Sequence, residues 1–358
     1  MTSPIDWALA ERVAIRMAKR EPLADSYLAH SLAPDFEELT AQAEALVESS
    51  TGLSSSAGPA RARVADRDGW IRANMASFQR LLLPLTDRLG EQLVSRKAGG
   101  APLSLTQKLT ALEVGALLGW MSARVLGQYD LLVVDDDTAH EQDLVYYVGP
   151  NVLSLEKRFG FPPREFRLWL ALHEVTHRAQ FTGVPWMREH YLSLIEQLLG
   201  SVDPDPQRFL AMVKNARDGR ERIESGGIVA MFATPRQREL LDQIGGLMSL
   251  LEGHGDVTMD RAGQGHVPNA ERFSRVLRER RKSAGGVTRT LQKLIGLEAK
   301  LAQYQQGEEF IAAIERVGGH QVIERAWQDP GALPTLVEIR EPNRWLERVG
   351  VHPTAAAG

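Results

Sequence analysis

The sequence predicts a mainly helical α+β chain with one small β-hairpin just ahead of its most chemically loaded helix. Apolar residues recur at spacings of three and four through most of the 358 residues, as in Trp7, Ala10, Val13, Ala14 and Met17. That period lays them along one helix face. Only two runs are rich in β-formers, Leu131-Leu132-Val133-Val134 and Leu144-Val145-Tyr146-Tyr147-Val148, and they read as a hairpin. No internal repeat is present.

Composition narrows the function classes. With 43% apolar and 25% charged residues the chain is an ordinary soluble globule able to bury a sizeable core. A formal charge of −4 argues against a general nucleic-acid or membrane-surface binder, and the basic run Arg275 to Lys282 reads as a solvated helix face. Cysteine is absent, so disulfides, thiolate nucleophiles and Cys-ligated zinc are excluded, and any metal must use His and carboxylate. No stretch reaches the length of a membrane span. Residues 1–20 carry Asp6 and Glu11 where a signal peptide needs an apolar core, so the expected location is the cytoplasm.

Taken in order, residues 1–48 read as an N-terminal helical segment, its second stripe being Phe36, Leu39, Ala43 and Leu46. Residues 49–60, rich in Ser and Gly, read as a flexible linker, and 61–350 as the main domain. Trp70, Ile71, Met75, Phe78, Leu81 and Leu82 mark a helix expected to stop before Pro84. From Thr106 to Gln128 an apolar helix carries Gly115, Gly119 and Ala123 four apart, small residues that let another backbone approach closely. Asp135, Asp136 and Asp137 between the β-rich runs point in different directions and read as a solvated turn. The hairpin is the sheet edge expected to hold an extended peptide. Later, Leu240 to Asp260 is strongly patterned as a helix, residues 334–353 read as an irregular tail with Trp345, and 351–358 as disordered.

The loaded helix contains His173-Glu174-Val175-Thr176-His177. Pro163 in the first turn needs no N–H there, and Glu165 suits the positive helix end. Phe166, Trp169, Leu170, His173 and His177 then recur at three and four, which sets both histidines on the inward stripe, one turn apart and able to reach one ion. A catalytic zinc takes three protein ligands, leaves a fourth position for water, and brings that water's pKa from about 15.7 to about 7. Glu174 beside the pair is then the general base that accepts the water's proton and passes it to a leaving amine.

A third ligand is required. The metzincin pattern is excluded, because Gln180 and Gly183 stand where it needs Gly and His. Glu196, nineteen residues beyond His177, has a spacing used by a large aminopeptidase clan. The other candidate is Glu252 in Leu250-Leu251-Glu252-Gly253-His254-Gly255-Asp256-Val257-Thr258-Met259-Asp260. Glu252 and Asp256 share a helical face behind an apolar run, where a cation would offset the cost of a buried carboxylate. Gly253 and Gly255 weaken a helix, which fits the metal helix passing close by. Asp256 is then placed to accept the free ring N–H of a zinc histidine. These features favour Glu252, with Glu196 as the alternative.

The segments from His173 to Trp186, from Leu251 to Asp260 and from Gly296 to Tyr304 resemble an actinobacterial family of uncharacterised zincin-like metallopeptidases. Its members are named as hydrolases, some tied to biosynthesis of a deazaflavin coenzyme. The resemblance, over residues 60–350, implies a zincin-like, largely helical fold with a small sheet ahead of the HExxH helix. It also implies a Glu-ligated zinc of the gluzincin kind, in which a Glu is followed four residues later by an Asp. The expectation is a zinc-dependent peptidase with one zinc per chain, acting on a peptide or amide substrate, with His254, His266 or Tyr304 as oxyanion donors. The alternatives are a metal amidohydrolase of coenzyme metabolism and a catalytically silent, metal-stabilised binding protein. An intact Glu174 argues against the last.

Overall fold

A computed structural model describes residues 5–19, 21–95, 103–131, 143–201, 234–282 and 297–351. The chain forms two compact units, residues 1–183 with 258–273, and residues 184–257 with 274–358. No helix among the described residues is long and apolar enough to cross a membrane.

In the first unit, α1 (Trp7–Ala18) starts where the Asp6 side chain accepts from the Leu9 N–H at 2.9 Å, satisfying one of the helix's open donors. α2 (Leu32–Thr51) ends on Gly52 at φ 69°, the left-handed closure that glycine adopts without strain. β1 (Arg61–Ala65), α3 (Arg67–Ser95), α4 (Leu103–Ser122), β2 (Gly127–Tyr129), β3 (Leu144–Val148), α5 (Gly149–Phe159) and α6 (Pro163–Gly183) follow. The small residues of α4 do what their spacing suggested: a Cβ on Gly115 would lie 2.4 Å from the Ala10 carbonyl oxygen, and one on Gly119 2.5 Å from that of Ala14. α1 therefore lies directly on α4, and Ala10, Ala14 and Ala18 join Trp70, Ile71, Met75 and Leu118 in one apolar core.

β3 is the central strand of a three-stranded sheet in the order β1-β3-β2. Its five residues are all buried, so both faces of the strand are covered. β1 runs parallel to it with Arg61 opposite Leu144, and β2 antiparallel with Gly127 opposite Tyr147. An antiparallel partner of β3 is present in Gly127–Tyr129; Leu131 of the expected run 131–134 is in no strand, and the rest of that run lies outside the described residues. Residues 132–142, with the three aspartates, lie outside the described residues.

The N-terminal helices are placed differently from the expected separate segment. α2 covers α6 through ion pairs: Arg164 with Asp35 and Glu38, Arg167 with Asp35, and Arg178 with Glu44. α2 also runs through Ser49 and Ser50 to Thr51, and the Ser/Gly stretch beyond it is tied in place. Ser56 Oγ donates to the Thr182 carbonyl at 2.7 Å, the Ala60 N–H to Glu44, and Arg178 to the Gly58 carbonyl. Residues 1–183 thus fall in one unit, the stretch after α2 being tied to α6 through Ser56 and Gly58 and to α2 through Ala60. α3 likewise continues past Pro84, which removes only one helical N–H.

The second unit holds α7 (Met187–Gly200), α8 (Pro235–Ala262) up to Val257, most of α9 (Ala270–Lys282), and α10 (Leu297–Gly318). The stretch read as an irregular tail forms α11 (Leu336–Arg340) and α12 (Pro342–Arg348). Trp345 is fully buried there with Phe310, Ile314 and Leu250, and burial of that apolar surface overrides weak local propensity. Residues 352–358 lie outside the described residues. Gly253 has a different role from the expected one. A Cβ there would lie 2.3 Å from the Gly307 carbonyl carbon, so it is α10 that passes α8 at closest approach.

Candidate metal centre

α6 is anchored before it reaches its histidines. Phe166 and Trp169 pack with Phe161 and Phe273 at ring-centroid distances of 4.8 to 6.1 Å. Arg167, 3% exposed, donates through Nε and Nη2 to Glu156 at 2.8 and 3.0 Å. Burial nonetheless pushes the Glu156 carboxyl above its usual range, against the pull of Arg167. A helix fixed at this end presents the following turn in a set orientation.

That turn brings the histidines together. The Nε2 atoms of His173 and His177 lie 3.2 Å apart, with the ring planes at 83°. Two nitrogens each about 2.0–2.1 Å from a tetrahedral zinc stand roughly 3.3 Å apart, so the pair has the spacing of one edge of such a site. Both rings are half-buried. On the far side of the second ring, His177 Nδ1 meets Gln180 Oε1 at 3.0 Å.

Glu174 is 7% exposed and turned toward the sheet. On either side of β2 the Asp130 N–H donates to the Leu144 carbonyl and the Leu126 carbonyl accepts from Val148, so Tyr129 between them directs its own N–H to the opposite side. That N–H donates to Glu174 Oε2 at 3.1 Å. Gly127 makes room for the carboxylate, since a Cβ there would sit 2.7 Å from both Glu174 Cγ and Oε1. Tyr147 of β3 is fully buried, stacked on Phe36 at 3.8 Å and hydrogen-bonded to Thr40 at 2.8 Å. Its phenol is driven far above the ordinary range by burial, with the nearby Glu174 charge adding to it.

Next along α6, Arg178 is 1% exposed and holds Asp143 with two nitrogens, Nε at 3.0 Å and Nη2 at 2.6 Å, and Glu44 with Nη1 at 2.6 Å. Together they fix the C-terminal half of the helix to α2 and to the start of β3.

The remaining candidates divide by unit. Glu252, 4% exposed, and His254, 6% exposed, are buried on α8, His254 edge-on to Trp327 at 5.3 Å, and Asp256 is half-buried one turn on. Glu196 is exposed on α7. His266 is exposed in the first unit. Tyr304 lies in α10, but its side chain is outside the described residues. Sequence reasoning missed Gln180, Gly127 and the Tyr129 N–H. For Gln180 the three-residue spacing from His177 was an available signal; for the other two, nothing in residue type marks them.

A family model described as zincin-like metallopeptidase matches residues 5–346. No curated protein matches the chain. The chain is similar to a crystal structure from Chloroflexus aurantiacus, described as that of a proposed hydrolase with a novel fold. The two are 30% identical, with a TM-score of 0.71, over 97% of this chain and 99% of that one.

Proposed function

Because the chain belongs to the zincin-like metallopeptidase family, we propose that it is a zinc-dependent hydrolase of peptide or amide bonds, with one zinc held by His173, His177 and Glu252. The observation that carries the reading is the 3.2 Å spacing of the two Nε2 atoms, which fits a tetrahedral ion. His173, His177 and Glu252 are three residues each able to offer one ligand atom. Glu252 follows the buried Leu247, Leu250 and Leu251 on α8, and a carboxylate taken that far from water is stabilised by a cation. Glu196, being exposed, has no such need. Asp256, one turn beyond Glu252, serves as an outer partner of a ligand.

Zinc supplies Lewis acidity toward the scissile carbonyl and toward water. The residues of the chain supply the rest. Glu174, held by the Tyr129 N–H and backed by Gly127, takes the proton of the attacking water on its carboxylate and delivers it to the leaving nitrogen. His254 is the internal candidate for a donor to the developing oxyanion, since His266 is exposed. The substrate is a peptide or amide, and the cytoplasm is the place of action we favour.

Metal analysis and a peptide-hydrolysis screen on three variants test this. Glu174→Gln should keep its zinc and lose hydrolysis by at least about a hundredfold. Glu252→Ala should be isolated largely without zinc at micromolar metal, and Glu196→Ala should retain it. Zinc loss in Glu174→Gln, or retention in Glu252→Ala with loss in Glu196→Ala, overturns the assignment.

A further inference from the structure

The side chain behind His177 decides which of its ring nitrogens can bind a metal. Gln180 is fully buried, lies three residues along α6 on the same face, and sets Oε1 3.0 Å from Nδ1. An amide oxygen only accepts, so the partner nitrogen must carry the hydrogen. A neutral imidazole protonated on Nδ1 has its lone pair on Nε2, the atom that faces Nε2 of His173 at 3.2 Å.

We propose that Gln180 is a positioning residue that locks His177 in the Nδ1–H tautomer and keeps Nε2 bare for the metal. The proposal rests on the zinc reading above. Free imidazole in water divides its proton between the two nitrogens, and the form with Nε2–H cannot bind through that atom. A fixed acceptor behind the ring removes the wrong form and also fixes the ring's rotation. The acceptor is uncharged, unlike the carboxylates that commonly stand behind metal-bound histidines. It orients the ring without drawing its proton away, so His177 binds as a neutral donor and the ion keeps its full charge for the substrate.

Two variants separate these roles from packing. Gln180→Met keeps the length and bulk but has no oxygen acceptor; Gln180→Glu keeps the acceptor. Zinc affinity is read by competition with a chromophoric chelator, and the His177 tautomer by long-range ¹⁵N–¹H correlation in the metal-free protein. The expected result is an Nδ1–H tautomer in the wild type, zinc binding weakened about 10- to 100-fold in Gln180→Met, and affinity restored to at least the wild-type level in Gln180→Glu. A wild-type His177 protonated on Nε2, a Gln180→Met affinity within about twofold of wild type, or a Gln180→Glu variant as weak as Gln180→Met overturns the proposal. If Gln180→Met does not give a cooperative thermal transition, the wild-type tautomer and the Gln180→Glu affinity decide. A wild type that takes no zinc refutes the zinc reading itself, and that is seen before any variant is compared.

Discussion

At Gly127, a hydrogen atom stands where any other residue would put carbon against Glu174. Gly127→Ala should therefore push the carboxylate off the Tyr129 N–H. A misplacement of about 1 Å at a reacting group costs on the order of a hundredfold. We expect kcat/KM to fall at least about tenfold while zinc content stays at the wild-type level, measured on the same preparations by metal analysis and peptide turnover. A variant with full activity would show that Glu174 does not depend on β2. At this scale the closeness of His173 and His177 was legible, because a four-residue spacing on a helix puts two side chains on one face, and their Nε2 atoms lie 3.2 Å apart. The sequence did not disclose Gly127 or Tyr129, whose contributions are a missing Cβ and a backbone N–H. Both depend on which strand passes Glu174, and that is a long-range fact.

At the scale of elements, the helices α1, α2, α4 and α6 were legible, but not their pairing, and Met17, Leu109 and Leu112, read as inward, are exposed. Nothing in the sequence marked the charges that pair α2 with α6. Arg178 is one of them: it is buried against Asp143 and Glu44, and removing one member of a buried ion pair typically costs about 3–5 kcal/mol. Arg178→Met should lower stability by about that amount in urea unfolding of the metal-free protein. A loss under about 1 kcal/mol would mean that α2 is not clamped there. β1 escaped the sequence reading for a related reason. In Arg61-Ala62-Arg63-Val64-Ala65 the apolar Ala62 and Val64 alternate with arginines, but Val64 is the one β-former, and Arg63 is exposed while the other four are half-buried. The strand Gly127–Tyr129 was not legible because Gly127 is a poor β-former, and pairing with β3 is what makes the segment a strand.

For the molecule as a whole, the division into two compact units was not legible, since composition breaks and contact breaks do not coincide in this chain. The second unit carries an acid-sensitive tie of its own. Glu338 closes a capping box with Thr335 and accepts from Arg348 at 2.6 and 3.0 Å. Burial works to raise its pKa, but the Arg348 and Thr335 hydrogen bonds and the Arg348 charge outweigh that and hold it below the ordinary 4.5. With the folded value depressed, the unfolded chain binds the proton more readily. The contribution is therefore complete above the ordinary value and is lost as pH falls through the lowered one. Glu338→Gln should be less stable than wild type at neutral pH, and the gap should close as the pH is taken down through the lowered pKa, below the ordinary 4.5. Urea titrations across that range check it; a gap independent of pH would assign the loss to packing.

The hydrogen bond from Tyr129 to Glu174 has a second effect, on self-association. β2 ends the sheet among the described residues, and an end strand with open N–H and C=O groups is a template for edge-to-edge aggregation. Only Gly127 and Tyr129 of its three residues turn their backbone groups outward, and the Tyr129 N–H is already engaged by a carboxylate. A strand from another copy would meet a short edge on which the outward Tyr129 N–H already donates to the Glu174 carboxylate, so the same hydrogen bond works against growth of the sheet.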